Sequence, residues 1–265
     1  VELFDGLRAE GKQTLVPFLT AGYPDLDATV ALLKDFEARG LKVCELGIPY
    51  SDPIADGPVI QASYTEALAR GVTAGAIFDA VRRYRREGGG MALVAMVSYS
   101  IVFRHGVEQY FADARDAGFD AMIIPDLPME EEQRIEPVAA RHGLANILLI
   151  APTSSKKRKL QIASCSRGFI YYMSIAGITG ERDRLPPATI SAVTELRKHT
   201  PTPICVGFGI SNAATVAEVC KAADGAIVGS AIMHRVSDAA AKNLGRDEMV
   251  RRVGGFVGEL LAPLQ

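Results

Sequence analysis

The chain has 265 residues, of which 48% are hydrophobic and 23% charged, with a formal net charge of -2. Such a chain can bury a sizeable core, and its length suits either one large α/β barrel or two modest domains. The near-neutral balance gives no electrostatic footprint for nucleic acid or an anionic membrane surface, and no apolar run reaches the length of a membrane span.

An amphipathic helix is expected over residues 3–9, followed by a strand over Thr14–Thr20 that ends in the turn Ala21-Gly22-Tyr23-Pro24. Asp25 is placed to cap a helix whose apolar positions Leu26, Val30, Leu33 and Phe36 keep helical spacing as far as Gly40. The apolar run of residues 41–48 reads as a second strand, and helices follow over residues 59–69 and 74–86 until Gly88-Gly89-Gly90 breaks the chain. Strand three is expected over residues 92–97, a helix over Val107–Ala117, and strand four over residues 121–124. The next helix opens on Glu130-Glu131-Glu132, acids suited to the positive end of a helix dipole. Strand five is read over residues 147–150, a helix over 157–163 and strand six over 169–173. A helix starting near Pro187, strand seven over 204–206, a helix capped by Ser211, strand eight over 226–228 and a final helix carrying Met249, Val253, Phe256 and Leu260 on one face complete the chain.

Eight short apolar strands alternating with helices, with no long linker, predict a single-domain (β/α)8 TIM barrel over residues 1–265, with an extra N-terminal helix. The approaches Gly40-Leu41-Lys42-Val43, Gly118-Phe119-Asp120-Ala121 and Ala223-Asp224-Gly225-Ala226 resemble one another, as internal repetition requires. An open doubly wound sheet fits less well, because the first strand lacks a G-x-G-x-x-G turn.

Within this pattern Glu45 breaks the local rule, a carboxylate inside a buried strand. If Leu46 and Ile48 face the helices, Glu45 faces the barrel interior, where an apolar setting raises its pKa and suits it to acid and base work near neutrality. Asp56 follows in a loop stiffened by Pro49, Pro53 and Pro58, and is the second candidate. Against these stand the blander readings: an internal Glu45 satisfied by the hydroxyls of Tyr171 or Thr20, and turn aspartates at Asp52 and Asp56. Asp126 reads equally well as an acid or as part of a helix-opening turn. At the other end of the chain, Gly207-Phe208-Gly209-Ile210-Ser211-Asn212 and Val228-Gly229-Ser230-Ala231 each follow a strand and open a helix, a pair of loops suited to cradling a phosphate.

No lysine stands at a strand's C-terminal end, so a Schiff-base aldolase lacks its nucleophile, and the four histidines are scattered, which offers no metal site. Cys44, Cys165, Cys205 and Cys220 show no C-x-x-C spacing and read as reduced thiols of a cytosolic protein; no secretory leader pattern opens the sequence. The basic run Lys156-Lys157-Arg158-Lys159 reads as a solvated helix face.

The run of residues 45–61, the segment Phe18-Leu19-Thr20-Ala21-Gly22-Tyr23-Pro24, Gly177-Ile178-Thr179-Gly180, Gly207-Phe208-Gly209-Ile210-Ser211 and Gly229-Ser230-Ala231 together resemble the tryptophan synthase alpha chain, in order and over essentially the whole chain. The resemblance implies a cofactor-free retro-aldol cleavage of indole-3-glycerol phosphate to indole and glyceraldehyde 3-phosphate. It further implies a tryptophan synthase beta chain as partner in an α2β2 heterotetramer, and a cytoplasmic location. By the same resemblance Glu45 is the acid and base, and Asp56 binds the indole N–H. Tyr171 hydrogen-bonds near Glu45, and Phe18 and Leu19 line the indole pocket. Gly180, Phe208, Gly209, Gly229 and Ser230 hold the phosphate, and residues 176–186 form a lid whose Thr179 reaches Asp56. Tyr99-Ser100-Ile101 replaces the family's usual Tyr-Asn-Pro near the beta-chain interface, which bears on coupling to the partner and not on the chemistry. A stand-alone indole-releasing lyase and a mainly regulatory subunit are the alternatives.

Overall fold

The structure is a computed structural model that describes residues 2–53, 56–174, 186–207 and 209–265. Eight parallel strands close into a barrel: β1 (Thr14–Thr20), β2 (Val43–Gly47), β3 (Ala92–Met96), β4 (Ala121–Ile123), β5 (Ala145–Ile150), β6 (Ile170–Met173), β7 (Ile204–Gly207) and β8 (Gly225–Val228). Closure is by β8 against β1, with Thr14 opposite Gly225 and Pro17 opposite Val228.

Around the strands run α1 (Glu2–Ala9), α2 (Leu26–Ala38), α3 (Pro58–Ala69), α4 (Ala74–Arg86), α5 (Tyr99–His105) and α6 (Val107–Ala117). They continue with α7 (Met129–Arg141), α8 (Lys156–Cys165), α9 (Pro187–Arg197), α10 (Ala213–Cys220), α11 (Ser230–Ala241) and α12 (Arg246–Leu261). The expected cap at Asp25 is present, its side chain accepting from the Ala28 N–H at 2.6 Å. The cap of α10 is Asn212 and not Ser211: Asn212 Oδ1 accepts from the Thr215 N–H at 2.9 Å. Helix α5 is absent from the sequence reading, because seven residues are too few to display a helical period. Ser98 caps it, and the Ile101 N–H donates to the Ser98 carbonyl at 3.1 Å, a bond that a proline at 101 would forbid.

The pleat sorts each strand into two sets. Val16, Val43, Val94, Ile123, Ile147, Tyr171, Cys205 and Ile227 pack together in the barrel interior, while Leu15, Cys44, Leu46, Leu93, Met122, Tyr172, Val206 and Val228 pack under the helices. Both sets are buried, which explains why the strands read as continuous apolar runs. Helix α1 covers the N-terminal end: Phe4 is 4% exposed and its ring lies 5.6 Å from that of Phe169. Arg8 on α1 donates to Asp224 Oδ1 at 2.7 Å, and Arg197 on α9 donates to Asp224 Oδ2 at 2.6 Å. One buried carboxylate thus fastens α1, α9 and the turn before β8. Burial pushes the Asp224 carboxyl up, yet the bonds from Arg8, the Ile204 N–H and Arg197 outweigh it and hold the pKa below the ordinary value.

All four cysteines are free thiols, with Cys44, Cys205 and Cys220 buried and Cys165 half-buried. The basic run opens α8, where Arg158 pairs with Glu130 at 2.9 Å and the Lys159 ammonium lies 5.5 Å from the centre of the Tyr172 ring. Among the described residues no helix is long and apolar enough to cross a membrane, and no group of His, Cys, Asp and Glu could hold a metal ion.

Candidate active site

The C-terminal ends of the strands surround a cavity lined by Phe18, Glu45, Asp56, Ile60, Met96, Tyr171, Gly209, Ile210, Ile227, Gly229 and Ser230. Seven residues singled out in the sequence thus meet in one place, although Phe18 and Ser230 stand near opposite ends of the chain. Leu19 does not line it. It stands in register with Leu46 and packs on the helix side of β1, because alternate strand residues face opposite ways. Thr179, Gly180 and Phe208 lie outside the described residues, as does most of the expected lid over 176–186.

Glu45 sits mid-way along β2, opposite Phe18 on β1 and Val94 on β3. It is 1% exposed, and neither carboxylate oxygen has a hydrogen-bond partner among the described residues. The hydroxyl-satisfied reading therefore fails: Thr20 Oγ1 is paired with Ser63 Oγ at 2.7 Å instead. Burial, and secondarily the charge of Asp56, pushes the Glu45 carboxyl up to about 8. A group with that value is protonated at neutral pH and can return to its carboxylate form at small cost.

Asp56 is held by its own loop. Its N–H donates to the Pro53 carbonyl at 3.1 Å, and Gln61 Nε2 on α3 donates to the Asp56 and Pro53 carbonyls at 2.7 and 3.1 Å. The backbone is thus committed to the turn while the side chain, 8% exposed, faces the cavity. Burial pushes its carboxyl up to about 6. Asp52 is exposed and accepts from Ser51 Oγ at 3.3 Å. Asp126 is also outside the cavity. It accepts from Ser98 Oγ and the Tyr99 N–H, both at 2.8 Å, and so tethers the start of α5.

At the opposite wall, α11 opens on Ser230, with Gly229 at its N-cap and Gly209 nearby. The two glycines are there for different reasons. Gly209 has φ of +81°, a left-handed conformation that favours glycine whatever binds nearby. Gly229 has an ordinary φ of −112°, and a methyl added there would meet Phe18 at 3.5 Å, a normal contact. Neither packing nor backbone requires glycine at 229, whereas close approach of an anion to the N–H groups at the start of α11 would. Among the described residues no lysine or arginine lines the cavity, and the donors they offer an anion are backbone N–H groups and the Ser230 hydroxyl.

Ile60, Met96 and Ile227, with Ile210 of the loop after β7, complete the lining; an apolar residue carries no sign in the sequence of whether it meets the core or a ligand. Two titratable carboxyls in an otherwise apolar strand-end cavity, facing an open helix N-terminus, define a (β/α)8-barrel enzyme equipped for acid–base chemistry without a strand-end lysine.

Comparison with known proteins makes that class specific. A sequence profile of the tryptophan synthase alpha chain family matches residues 4–260. The tryptophan synthase alpha chain of Rhodopirellula baltica is 45% identical over 249 residues, covering 92% of this chain and 90% of that one. The structure of tryptophan synthase subunit alpha from Legionella pneumophila superposes with a TM-score of 0.90 at 31% identity, covering 99% of this chain and 97% of the other. A structure of Mycobacterium tuberculosis tryptophan synthase gives 0.89 at 33% identity, over 99% and 96%. The chain belongs to the tryptophan synthase alpha chain family, lyases that cleave indole-3-glycerol phosphate.

Proposed function

We propose that Glu45 and Asp56 carry the retro-aldol cleavage of indole-3-glycerol phosphate in this chain. The observation that supports this most directly is a buried carboxyl pushed up to about 8 with no partner of its own, beside a second carboxyl at about 6, in one apolar cavity. Protonated Glu45 gives its proton to the indole carbon that bears the glycerol chain. Asp56, as a carboxylate, accepts from the ring N–H and stabilises the positive indolenine that results. Glu45, now a carboxylate, takes the proton of the adjacent glycerol hydroxyl. The carbon–carbon bond breaks, its electrons return to the ring, and indole and glyceraldehyde 3-phosphate leave. One proton enters at carbon and one leaves from oxygen, so Glu45 ends protonated and no cofactor is consumed.

Phe18 and Ile60 are suited to flank the indole ring, and the N–H groups at Gly209, Gly229 and Ser230 to hold the phosphate at the far wall. Tyr171 is 5% exposed, and its pKa is raised by burial and then by the charges of Glu45 and Asp56, which keeps the phenol neutral beside both. The assignments of Thr179, Gly180, Phe208 and Leu19 to substrate contacts rest on the family resemblance alone.

As in the family, the partner is a beta chain. Phe103 is 69% exposed and Leu68 36%, the exposed large hydrophobics among the described residues, and Leu68 borders a groove with Pro49, Tyr50, Val72 and Ile101. That apolar rim supports docking of the beta chain beside α5, while the α2β2 stoichiometry, the single-domain reading and the cytoplasmic location rest on the sequence and the family resemblance. Indole release from indole-3-glycerol phosphate, measured for this chain alone and with a beta chain, tests the reading. Release that rises on adding the beta chain supports it, while no release in either case leaves only a regulatory subunit.

A further inference from the structure

Tyr64 lies on α3 one helical turn beyond Ile60, so the two side chains leave the helix on the same face. Ile60 lines the cavity, and Tyr64 sits behind it, 1% exposed, with no hydrogen-bond partner for its hydroxyl among the described residues. Buried polar groups are nearly always paired, so an orphan hydroxyl beside a reacting centre calls for a partner.

Its location is fixed by Gly47. A methyl on Gly47 would overlap the Tyr64 hydroxyl and the rim of the Phe18 ring. Gly47 follows Glu45 by two residues on β2, so the missing side chain would project to the same inward side as Glu45. The Tyr64 hydroxyl therefore occupies the next inward position along the strand from the Glu45 carboxyl. A buried donor without an acceptor stands next to a buried acceptor whose two oxygens both lack donors.

We propose that Tyr64 is a positioning residue for Glu45: its hydroxyl donates to the Glu45 carboxylate through one bound water and sets how that carboxylate faces the substrate. The inference rests on the role given to Glu45 above. Asp56 bears on the Tyr64 phenol more strongly than Glu45 does, but Asp56 is 8% exposed at the cavity, whereas both oxygens of Glu45 are fully buried and without partners among the described residues. The surroundings hold the phenol in place. Thr20 Oγ1 and Ser63 Oγ pair at 2.7 Å, and Ser63 Oγ donates to the Ile60 carbonyl, which pins α3 to β1. The Tyr64 ring packs 5.7 Å from that of Tyr50. The titratable groups around Glu45 are Asp56, Cys44, Tyr64, Tyr171 and Cys205, with no charged cation among those described.

Tyr64→Phe keeps the ring and removes the donor. In the full-length protein it lowers kcat for indole-3-glycerol phosphate cleavage about tenfold and leaves KM nearly unchanged. A second readout does not need turnover. With glutamate side chains labelled with carbon-13, and the Glu45 signal assigned by its loss in Glu45→Gln, Tyr64→Phe raises the Glu45 titration by about half a unit, because a donated hydrogen bond favours the charged form. Introducing 3-fluorotyrosine at 64, a stronger donor of the same shape, moves the titration down and serves even if Tyr64→Phe is unstable. A Glu45 titration that moves in neither variant overturns the proposal. Retained turnover in Glu45→Gln would instead overturn the reading of the site, and the titration would still decide whether Tyr64 donates to Glu45.

Discussion

Phe18 stands opposite Glu45 across the β1–β2 ladder, so a phenyl ring and a carboxyl share the inward face of adjacent strands. The ring keeps water from one side of the carboxyl, which is part of why that group holds its proton at neutral pH. Glu45→Gln preserves the shape of this contact and removes the proton relay. Indole formation should fall by about a thousandfold, within the range typical for loss of a general acid–base group, with KM changed little. A stopped assay for indole checks this, and near-normal turnover would reassign the chemistry.

The pH–rate profile should be bell-shaped. Cleavage needs Asp56 ionised and Glu45 protonated, and burial raises the first to about 6 and the second to about 8. The Asp56 charge adds to burial in raising Glu45, so the upper limb reports the pair and not Glu45 alone. Rates of kcat/KM for the free enzyme should therefore decline below about 6 as Asp56 gains a proton and above about 8 as Glu45 loses one. A profile that rises without limit to alkaline pH would remove Glu45 as the acid.

The same burial has a stability consequence of definite sign. Glu45 titrates near its ordinary value of 4.5 in the unfolded chain and at about 8 in the folded one, so the folded state holds the extra proton between those limits. Its contribution is most favourable below 4.5 and is lost as pH rises through about 8. Glu45→Gln, neutral at every pH, should match wild type near pH 4 and exceed it by on the order of 2–3 kcal/mol at pH 7. Urea unfolding across that range would show the gap widen with pH, and a constant gap would mean that the carboxyl is not buried in the folded state.

Gly229→Ala separates packing from ligand binding. The added methyl meets Phe18 at 3.5 Å, so the fold should survive unchanged. The methyl also crowds the start of α11, so affinity for glyceraldehyde 3-phosphate should weaken about tenfold, or about 1.4 kcal/mol. Calorimetric titration measures it, and unaltered affinity would place the phosphate elsewhere.

Much of this architecture was legible in the sequence because a parallel barrel repeats one unit and each strand announces itself as an apolar run. Glu45 stood out for the same reason, as a charge within such a run. Helix α5 was invisible because its seven residues follow β3 without a break in composition, and Ser98 and Asp126 organise it through contacts between separate loops. For Asp126 the sequence supports two readings, and only those contacts decide between them. Leu19 belongs to a segment that matches the family yet packs on the helix side, because a strand divides its residues between two faces. Tyr64 gave no signal, since a tyrosine on an amphipathic helix reads as core, and only Gly47 reveals what its hydroxyl approaches.

Gly47 has counterparts. A methyl on Gly207 would overlap the Tyr171 hydroxyl, and one on Gly89 would overlap the Tyr84 ring. In each case a missing side chain is the seat of a tyrosine. These positions are therefore not independent letters in the family's alphabet. A relative that enlarges one of the glycines must shrink or redirect the matching tyrosine, so substitutions at 47 and 64, at 207 and 171, and at 89 and 84 should be inherited as couples.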